Sequence, residues 1–465
     1  MGGRVGTRRL LRGPRRGPHE DLGSHIVIPA VYEEDGGDTR YNPLPARVRV
    51  PLCPAPRPTI GFLRRLAALG GDPTRTDRAV RIALGRRLGV DPARVLLTES
   101  GSHALVTALR MLRRNPQDEV VVPAFSCPSL VAAVLAAGMV PVLCDLDEDW
   151  AMGPEQVSPV LSASTRVVIA AHIFGTPADL PGLQELCDAR GIDLVDDAAQ
   201  ALGGVVAGRP MGSWGRCGVL SFGRHKPLFA GGGGALVLDE RAAEVLAEPL
   251  PQRARRGAGW DSLLHAARMD ALRRLDTRLP VRLRLQPAPV EDARVPLEHY
   301  QLADAGAAGM PAVHGALLLD QLSRLDQDRS RVRAAAARYT SALSPALLPP
   351  PDAVLAGELN FVPLVCAPAD RRSIAAHFAS LGVETTWLYY PMHRVRQYRG
   401  RVRVGRLQVS DALWKSVLCV PGRGRHTDEQ IRQVAHAIRT AHPVPGRTAM
   451  GGQTTEGPHA RHRQQ

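Results

Sequence analysis

Residues 166–200 read RVVIAAHIFGTPADLPGLQELCDARGIDLVDDAAQ, and the fold follows from this stretch. A continuous apolar run over 166–174 leads to Asp179, which suits a helix N-cap; Pro181 lies in the first turn and Gly191 closes the pattern. A second strand-like run, 193–197 (DLVDD), follows at once. Strand, helix, strand in so short a span is a crossover unit, which joins parallel neighbours in one sheet. Neither run alternates polar with apolar residues, so both faces of these strands are expected to be covered by helices.

The same grammar extends on both sides. Strand-like runs lie at 119–125 (EVVVPAF), 140–145 (VPVLCD), 218–222 (GVLSF) and 234–238 (GALVL). Helix signals follow Ser100 (GSHALVTALRMLRR) and begin at Pro128 (PSLVAAVLAA, closed by Gly138). The last two strands are too close for a helical crossover and are expected to form an antiparallel element at the sheet edge. The class is α/β, with a mostly parallel sheet between helices in a large domain over residues 46–245. Residues 246–310 are rich in Arg, Leu and Pro without a clear period, as in an insertion or inter-domain segment. A long helical pattern runs from about Ala312 to Leu343, and 311–442 is expected to form a smaller C-terminal α/β domain. Residues 1–45 and 443–465, rich in Gly, Pro, Arg and His, are expected to be mobile ends.

Composition narrows the function. At 465 residues, 44% apolar and 22% charged, the chain is not disordered in the main, and it has no apolar run of membrane-spanning length. Its Arg-rich start lacks a following apolar segment, so no secretory signal is expected and the cytoplasm is the default location. The seven cysteines are scattered, with no C-x-x-C pair, which argues against a disulfide scaffold and against a zinc site. The net charge of +14 is gathered into four stretches, of which 393–406 has six arginines and no acid. With aromatics at only 4%, too sparse for base stacking, a nucleic-acid partner is not expected.

Of 59 basic residues only Lys226 and Lys415 are lysine. Where arginine serves every ordinary surface need, a surviving lysine invites a chemical explanation: lysine can give up its proton and join a carbonyl, and arginine cannot. The rival explanation is chance in an Arg-biased composition. The surroundings favour chemistry. Ligands of an open parallel sheet bind beyond the carboxyl ends of its strands. There lie Asp196 and Asp197, followed by Gln200; Ser221, with Lys226 in the next loop; the TESGSH stretch from Thr98 to His103, a helix start that can cradle phosphate; and the AFSCPS loop, 124–129. A lysine, a carboxylate able to hold a ring nitrogen protonated, and a helix terminus for phosphate are the parts a pyridoxal phosphate enzyme needs. Taken singly, SGS is an ordinary N-cap and a strand-end Asp an ordinary turn residue. Their joint order along one sheet carries the reading.

That order resembles the DegT/DnrJ/EryC1/StrS family, the fold type I sugar aminotransferases. The matching segments are TESGSHALVTALR, DEVVVPAFSCPSLVAAVLAAGMVPVLCDLDED, HIFGTPADLPGLQELCDARGIDLVDDAAQALGG, GSWGRCGVLSFGRHKPLFAGGGGALVL and ETTWLYYPMHRVRQY. The resemblance implies that Lys226 is the cofactor lysine and Asp197 the partner of the pyridine nitrogen. It places Gln200 against the ring or its phenolic oxygen, and Gly101, Ser102, the amide of His103, and Ser221 around the phosphate. Tyr390 and His393 resemble a Y-P-x-H element near the nucleotide-sugar site. The implied activity is transfer of an amino group from an amino acid, expected to be glutamate, to a keto sugar, expected to be nucleotide-linked, by a homodimer.

Departures accompany the match. Cys127 stands where the family usually has an aromatic residue stacked on the cofactor ring, Pro227 where Asn is common after the lysine, and Gly232 in place of a usual Glu. If Met310 matches the family's Y-N-x-R-M element, Ala307 and Gly309 replace its Asn and Arg. These changes leave room for a non-catalytic or regulatory protein on the same fold. A family dehydratase is a further rival, although there the lysine is typically replaced by His. In the basic stretch, Arg394 and Arg396 are candidates for a nucleotide diphosphate, with a solvated surface loop as the bland alternative.

Overall fold

The crossover of residues 166–200 is present in the structure, a computed structural model. The structure describes residues 47–245 except 57 and 224, residues 310–443 except 360, 396 and 397, and in addition Pro45, Trp260, Leu263, Leu264, Ala267 and Arg268. In chain order the first half contains α1 (Ile60–Leu69), α2 (Pro73–Leu88), β1 (Val95–Thr98), α3 (Gly101–Leu112), β2 (Glu119–Pro123), α4 (Ser129–Ala136), β3 (Val140–Cys144), α5 (Pro154–Val157), β4 (Thr165–Ala171), α6 (Leu180–Arg190), β5 (Asp193–Asp197), β6 (Val205–Val206), β7 (Arg209–Pro210), β8 (Cys217–Ser221), β9 (Gly234–Leu238) and α7 (Glu240–Val245). The second half contains α8 (Ala312–Leu322), α9 (Leu325–Thr340), α10 (Asp352–Ala356), β10 (Val362–Val365), α11 (Arg371–Ser380), β11 (Arg403–Val404), α12 (Gln408–Ser416), β12 (Val417–Val420) and α13 (Asp428–Arg439). The expectations for residues 1–44, for most of 246–309, including Ala307 and Gly309, for Arg396 and for 444–465 lie outside the described residues.

β4 and β5 pair in parallel, with Val167 opposite Asp193 and Ala171 opposite Asp197. Asp179 caps α6 by accepting from the Gly182 amide at 3.1 Å, and Gly191 ends the helix at φ 65°, a left-handed conformation that suits glycine. The eight-stranded sheet runs β1-β9-β8-β5-β4-β2-β3-β11. Its centre is parallel, and β2 is buried along its whole length, as the unbroken apolar runs require.

Three features depart from the sequence expectations. β8 and β9 are antiparallel but do not form the edge, because β1 pairs with β9 from Val95–Val237 to Thr98–Gly234. Four residues, VLLT, are too few for a periodicity signal. The run 166–174 leaves the sheet at Ala171, since Phe174 takes φ 56° in a tight 3-10 turn, and His172 is therefore delivered to a strand end. The helical pattern from Ala312 divides at Arg324 (φ −119°), and Asp326 and Asp328 in the first turn of α9 favour a new helix N-terminus there.

The second half also reaches into the first. β11 extends the large sheet beside β3, and α8 packs on α1 through Phe62, Leu69, Val313, Ala316 and Leu317. Gly315 permits close approach to α2, since a Cβ there would lie 2.2 Å from Thr76 Cγ2. β10 and β12 form a separate antiparallel pair. No helix among the described residues is long and apolar enough to cross a membrane.

Candidate active site

A cavity of about 390 Å³ opens at the carboxyl ends of β4, β5 and β8, the side of a parallel sheet where ligands bind. Gly101, Ser102, Cys127, Asp197, Gln200, Ser221 and Lys226 all line it, so seven of the residues singled out in the sequence come together. His103 does not line it; its amide donates to the N-cap Ser100 Oγ at 3.1 Å. Tyr390, His393 and Arg394 are also outside the lining. Tyr390 packs edge-on to Trp414, with ring centroids 4.9 Å apart. Arg394 donates to both carboxylate oxygens of Asp411, at 3.1 and 3.2 Å, and His393 Nε2 lies 3.3 Å from the same group.

Strand periodicity sorts the two aspartates. Asp196 is fully buried and accepts from the amides of Gly212 and Trp214 as well as pairing with His172 Nε2 at 2.8 Å. Asp197, one residue on, faces the cavity and accepts from the Ala199 amide at 3.0 Å. Burial pushes the Asp197 carboxyl above its ordinary range, and the positive charge of Lys226 works against that rise. A carboxylate so placed lacks a full counter-charge.

Neither His172 nor Tyr389 was marked by any sequence signal, and both line the cavity. His172 Nδ1 accepts from the Ala178 amide at 3.0 Å, so the ring carries its hydrogen on Nε2 and donates it to Asp196. Tyr389 donates to Gln200 Oε1 at 2.7 Å and stacks on Phe174, with centroids 5.6 Å apart; burial holds its hydroxyl well above the ordinary range. It is Tyr389, next to the Tyr390 of the motif, that enters the site. Cys127 Sγ accepts from Ser129 Oγ at 2.9 Å.

Removing the Asp196 carboxylate would strand two backbone amides and the His172 ring N–H in a dry interior. Asp196→Ala is therefore expected to lose about 3 kcal/mol or more of stability, each orphaned donor costing roughly 1–3 kcal/mol. Urea unfolding of the two proteins measures it.

The model of the DegT/DnrJ/EryC1/StrS aminotransferase family matches residues 89–439. The chain belongs to this family. This aminotransferase is 28% identical over 379 residues, covering 80% of this chain and 89% of the relative, to the dTDP-4-dehydro-2,3,6-trideoxy-D-glucose 4-aminotransferase of Saccharopolyspora spinosa. It is 31% identical over 246 residues to the L-glutamine:scyllo-inosose aminotransferase of Streptomyces griseus, covering 53% of this chain and about half, 51%, of that relative. Its fold is similar to that of the aminotransferase TlmJ from Streptoalloteichus hindustanus, at a TM-score of 0.65 and 24% identity over 84% of this chain and 98% of that one.

The family cofactor, pyridoxal phosphate, fits the residues present. Gly101 leaves a cradle that a side chain would fill, because a Cβ there would lie 2.6 Å from Ser221 Cβ. Around that cradle stand the start of α3 and the Ser102 and Ser221 hydroxyls, the donors a phosphate needs. Lys226 and Asp197 line the same space. Among the described residues no group of three or more His, Cys, Asp or Glu is placed to hold a metal ion.

Proposed function

We propose that this aminotransferase moves an amino group from an amino acid, glutamate first among candidates, to a keto sugar that is nucleotide-linked. The observation that carries the reading is the convergence of Lys226, Asp197, Gly101, Ser102 and Ser221 on one cavity in a chain of this family. Bound pyridoxal phosphate supplies a carbonyl carbon that amines attach to and a ring that withdraws electrons from it. In that setting Gly101, Ser102 and Ser221 would hold the phosphate. Asp197 would hold a proton on the ring nitrogen, and its own burial makes that counter-charge favourable. The Nζ of Lys226, once free, would take a proton from the donor's α-carbon and return it on the other side of the transfer. Gln200, fixed by Tyr389, would help orient the ring, and His172, bound to Asp196, would hold the end of β5 that carries Asp197.

The keto-sugar acceptor rests on the Saccharopolyspora relative, which its name places on a dTDP-linked ketone, and its match spans most of both chains. One observation favours a second reading, an acceptor without phosphate. Arg394, a sequence candidate for a diphosphate, is taken up by Asp411. The Streptomyces griseus relative acts, by its name, on an inosose. We read the assembly as a homodimer, with Ile60 and Leu63 on α1 as exposed apolar surface that a second copy would cover.

Purified protein with pyridoxal phosphate is expected to form 2-oxoglutarate from glutamate. It is then expected to place an amine on a nucleotide-linked keto sugar, read by mass spectrometry. Turnover of a keto-cyclitol alone would select the second reading, and failure of every amino donor would return the non-catalytic rival. The dehydratase rival has the presence of Lys226 against it.

A further inference from the structure

The loop that carries Lys226 is held by the other half of the chain. Between β12 and α13 runs Pro421-Gly422-Arg423-Gly424-Arg425-His426. The Arg423 guanidinium donates to the carbonyl oxygen of Lys226, and Arg425 Nη2 donates to that of Pro227 at 3.2 Å. Arg423 is only 5% exposed and lies over the Phe361 ring, 5.1 Å from its centroid; Phe361 itself lines the cavity. The loop is itself anchored on both sides. His426 Nε2 meets the Pro51 carbonyl at 2.7 Å and its Nδ1 the Arg423 carbonyl at 3.0 Å. Gly424 is pressed on α9, where a Cβ would come 2.7 Å from Asp328 Cα.

Pro227 shows why this grip matters. Proline has no N–H to offer its own loop and restricts the residue before it, so Lys226 is less able to be fixed by local bonds. Its own amide reaches Gly223 O at 3.2 Å. Its carbonyl and the next are satisfied by guanidinium groups from almost 200 residues away in sequence. A buried and a half-buried cation are a costly way to close a turn. They are suited, however, to fixing two successive peptide planes, because the planar fork of arginine constrains direction as well as distance.

We infer that Arg423 is a positioning residue for Lys226, setting the direction from which the lysine side chain enters the cavity, with Arg425 as its auxiliary on the next carbonyl. The inference rests on Lys226 being the cofactor lysine. It ties placement of the β10–β12 unit to alignment of the amine on the large sheet.

The full chain with pyridoxal phosphate is compared with Arg423→Met and Arg423→Lys. Misplacement of a reacting group by about 1 Å can cost on the order of a hundredfold in rate. The Met variant is accordingly expected to convert its amino donor about tenfold more slowly or worse, with KM within about twofold, the split of a lost alignment. The pH midpoint of the bound cofactor's visible absorbance should move by about half a unit or more, and Lys should restore most of both. A folded Met variant with wild-type rate and midpoint overturns the inference whatever its melting temperature, since a merely structural clamp moves only the latter. Should that variant fail to fold, Arg425→Gln is read on the same two quantities. A rate about threefold lower with a shifted midpoint supports positioning, and wild-type values overturn it. If wild type itself neither takes up pyridoxal phosphate nor converts any donor, the functional reading falls and this inference with it. A working wild type beside unaffected variants removes the inference alone.

Discussion

Lys226→Ala is expected to abolish amino transfer, with a loss of about a thousandfold or more, because proton movement by a positioned side chain alone contributes roughly 10²–10⁴-fold. The loss should exceed that of any other single change, since the same Nζ would both hold the cofactor and move the proton. Borohydride treatment of the wild type should fix pyridoxal phosphate on one peptide, and that peptide should contain Lys226. The chain supplies its own control. Lys415, the other lysine, lies exposed in the last turn of α12 and does not line the cavity. Lys415→Arg should leave transfer and labelling untouched. Label on the Lys415 peptide, or none at all, would remove the assignment of Lys226 and with it the proposed chemistry.

Asp197→Ala should keep the cofactor yet lose donor conversion by about a hundredfold or more. A charge-assisted hydrogen bond is worth roughly 1.5–3 kcal/mol, and about 1.4 kcal/mol is a factor of ten in rate, with electron withdrawal in the transition state adding to it. The raised Asp197 carboxyl gives an independent readout. A carboxyl whose folded pKa lies above its unfolded value binds more protons when folded, so its contribution to stability falls as pH rises through that range. Wherever it is ionised, the wild-type carboxyl is a buried charge that Lys226 offsets only in part, and a protonated ring nitrogen would relieve it. Pyridoxal phosphate should raise the melting temperature of wild type more than that of Asp197→Ala, and the difference should shrink as pH falls toward the carboxyl's titration. Equal shifts at all pH values, with near wild-type donor conversion, would assign the ring nitrogen elsewhere. Asp196 is a poor substitute, since both of its oxygens are already engaged, one by His172 and the other by the Gly212 and Trp214 amides.

Much of this site was legible because strands obey a short period. A short strand such as DLVDD, set right after a helix in a crossover unit, ends at the ligand-binding rim of a parallel sheet, which put Asp197 there from sequence alone. Gly101 to Ser102 were legible as a helix start, and Lys226 stood out through the near absence of lysine. Where the motif offered two adjacent tyrosines, the sequence had no means of choosing. The structure puts Tyr389 on Gln200 and Tyr390 on Trp414.

The basic stretch after His393 shows the same limit. Its charge was countable, yet whether an arginine is open to a ligand depends on which acid the fold brings beside it. For Arg394 that acid is Asp411, on α12.

By itself, then, the sequence determined the α/β class, the parallel sheet, and the strand ends that bear Asp197, Ser221 and the loop of Lys226, because these follow from periodicities within a few residues. Only the tertiary structure decided that His172 binds Asp196, that Tyr389 holds Gln200, that β1 and not β9 closes the sheet edge, and that Arg423 grips Lys226. Most of these partners stand between 24 and 197 residues apart in the chain. No local preference encodes such pairs; they form when burial of the shared apolar core brings the segments together and every polar group caught inside must find a partner.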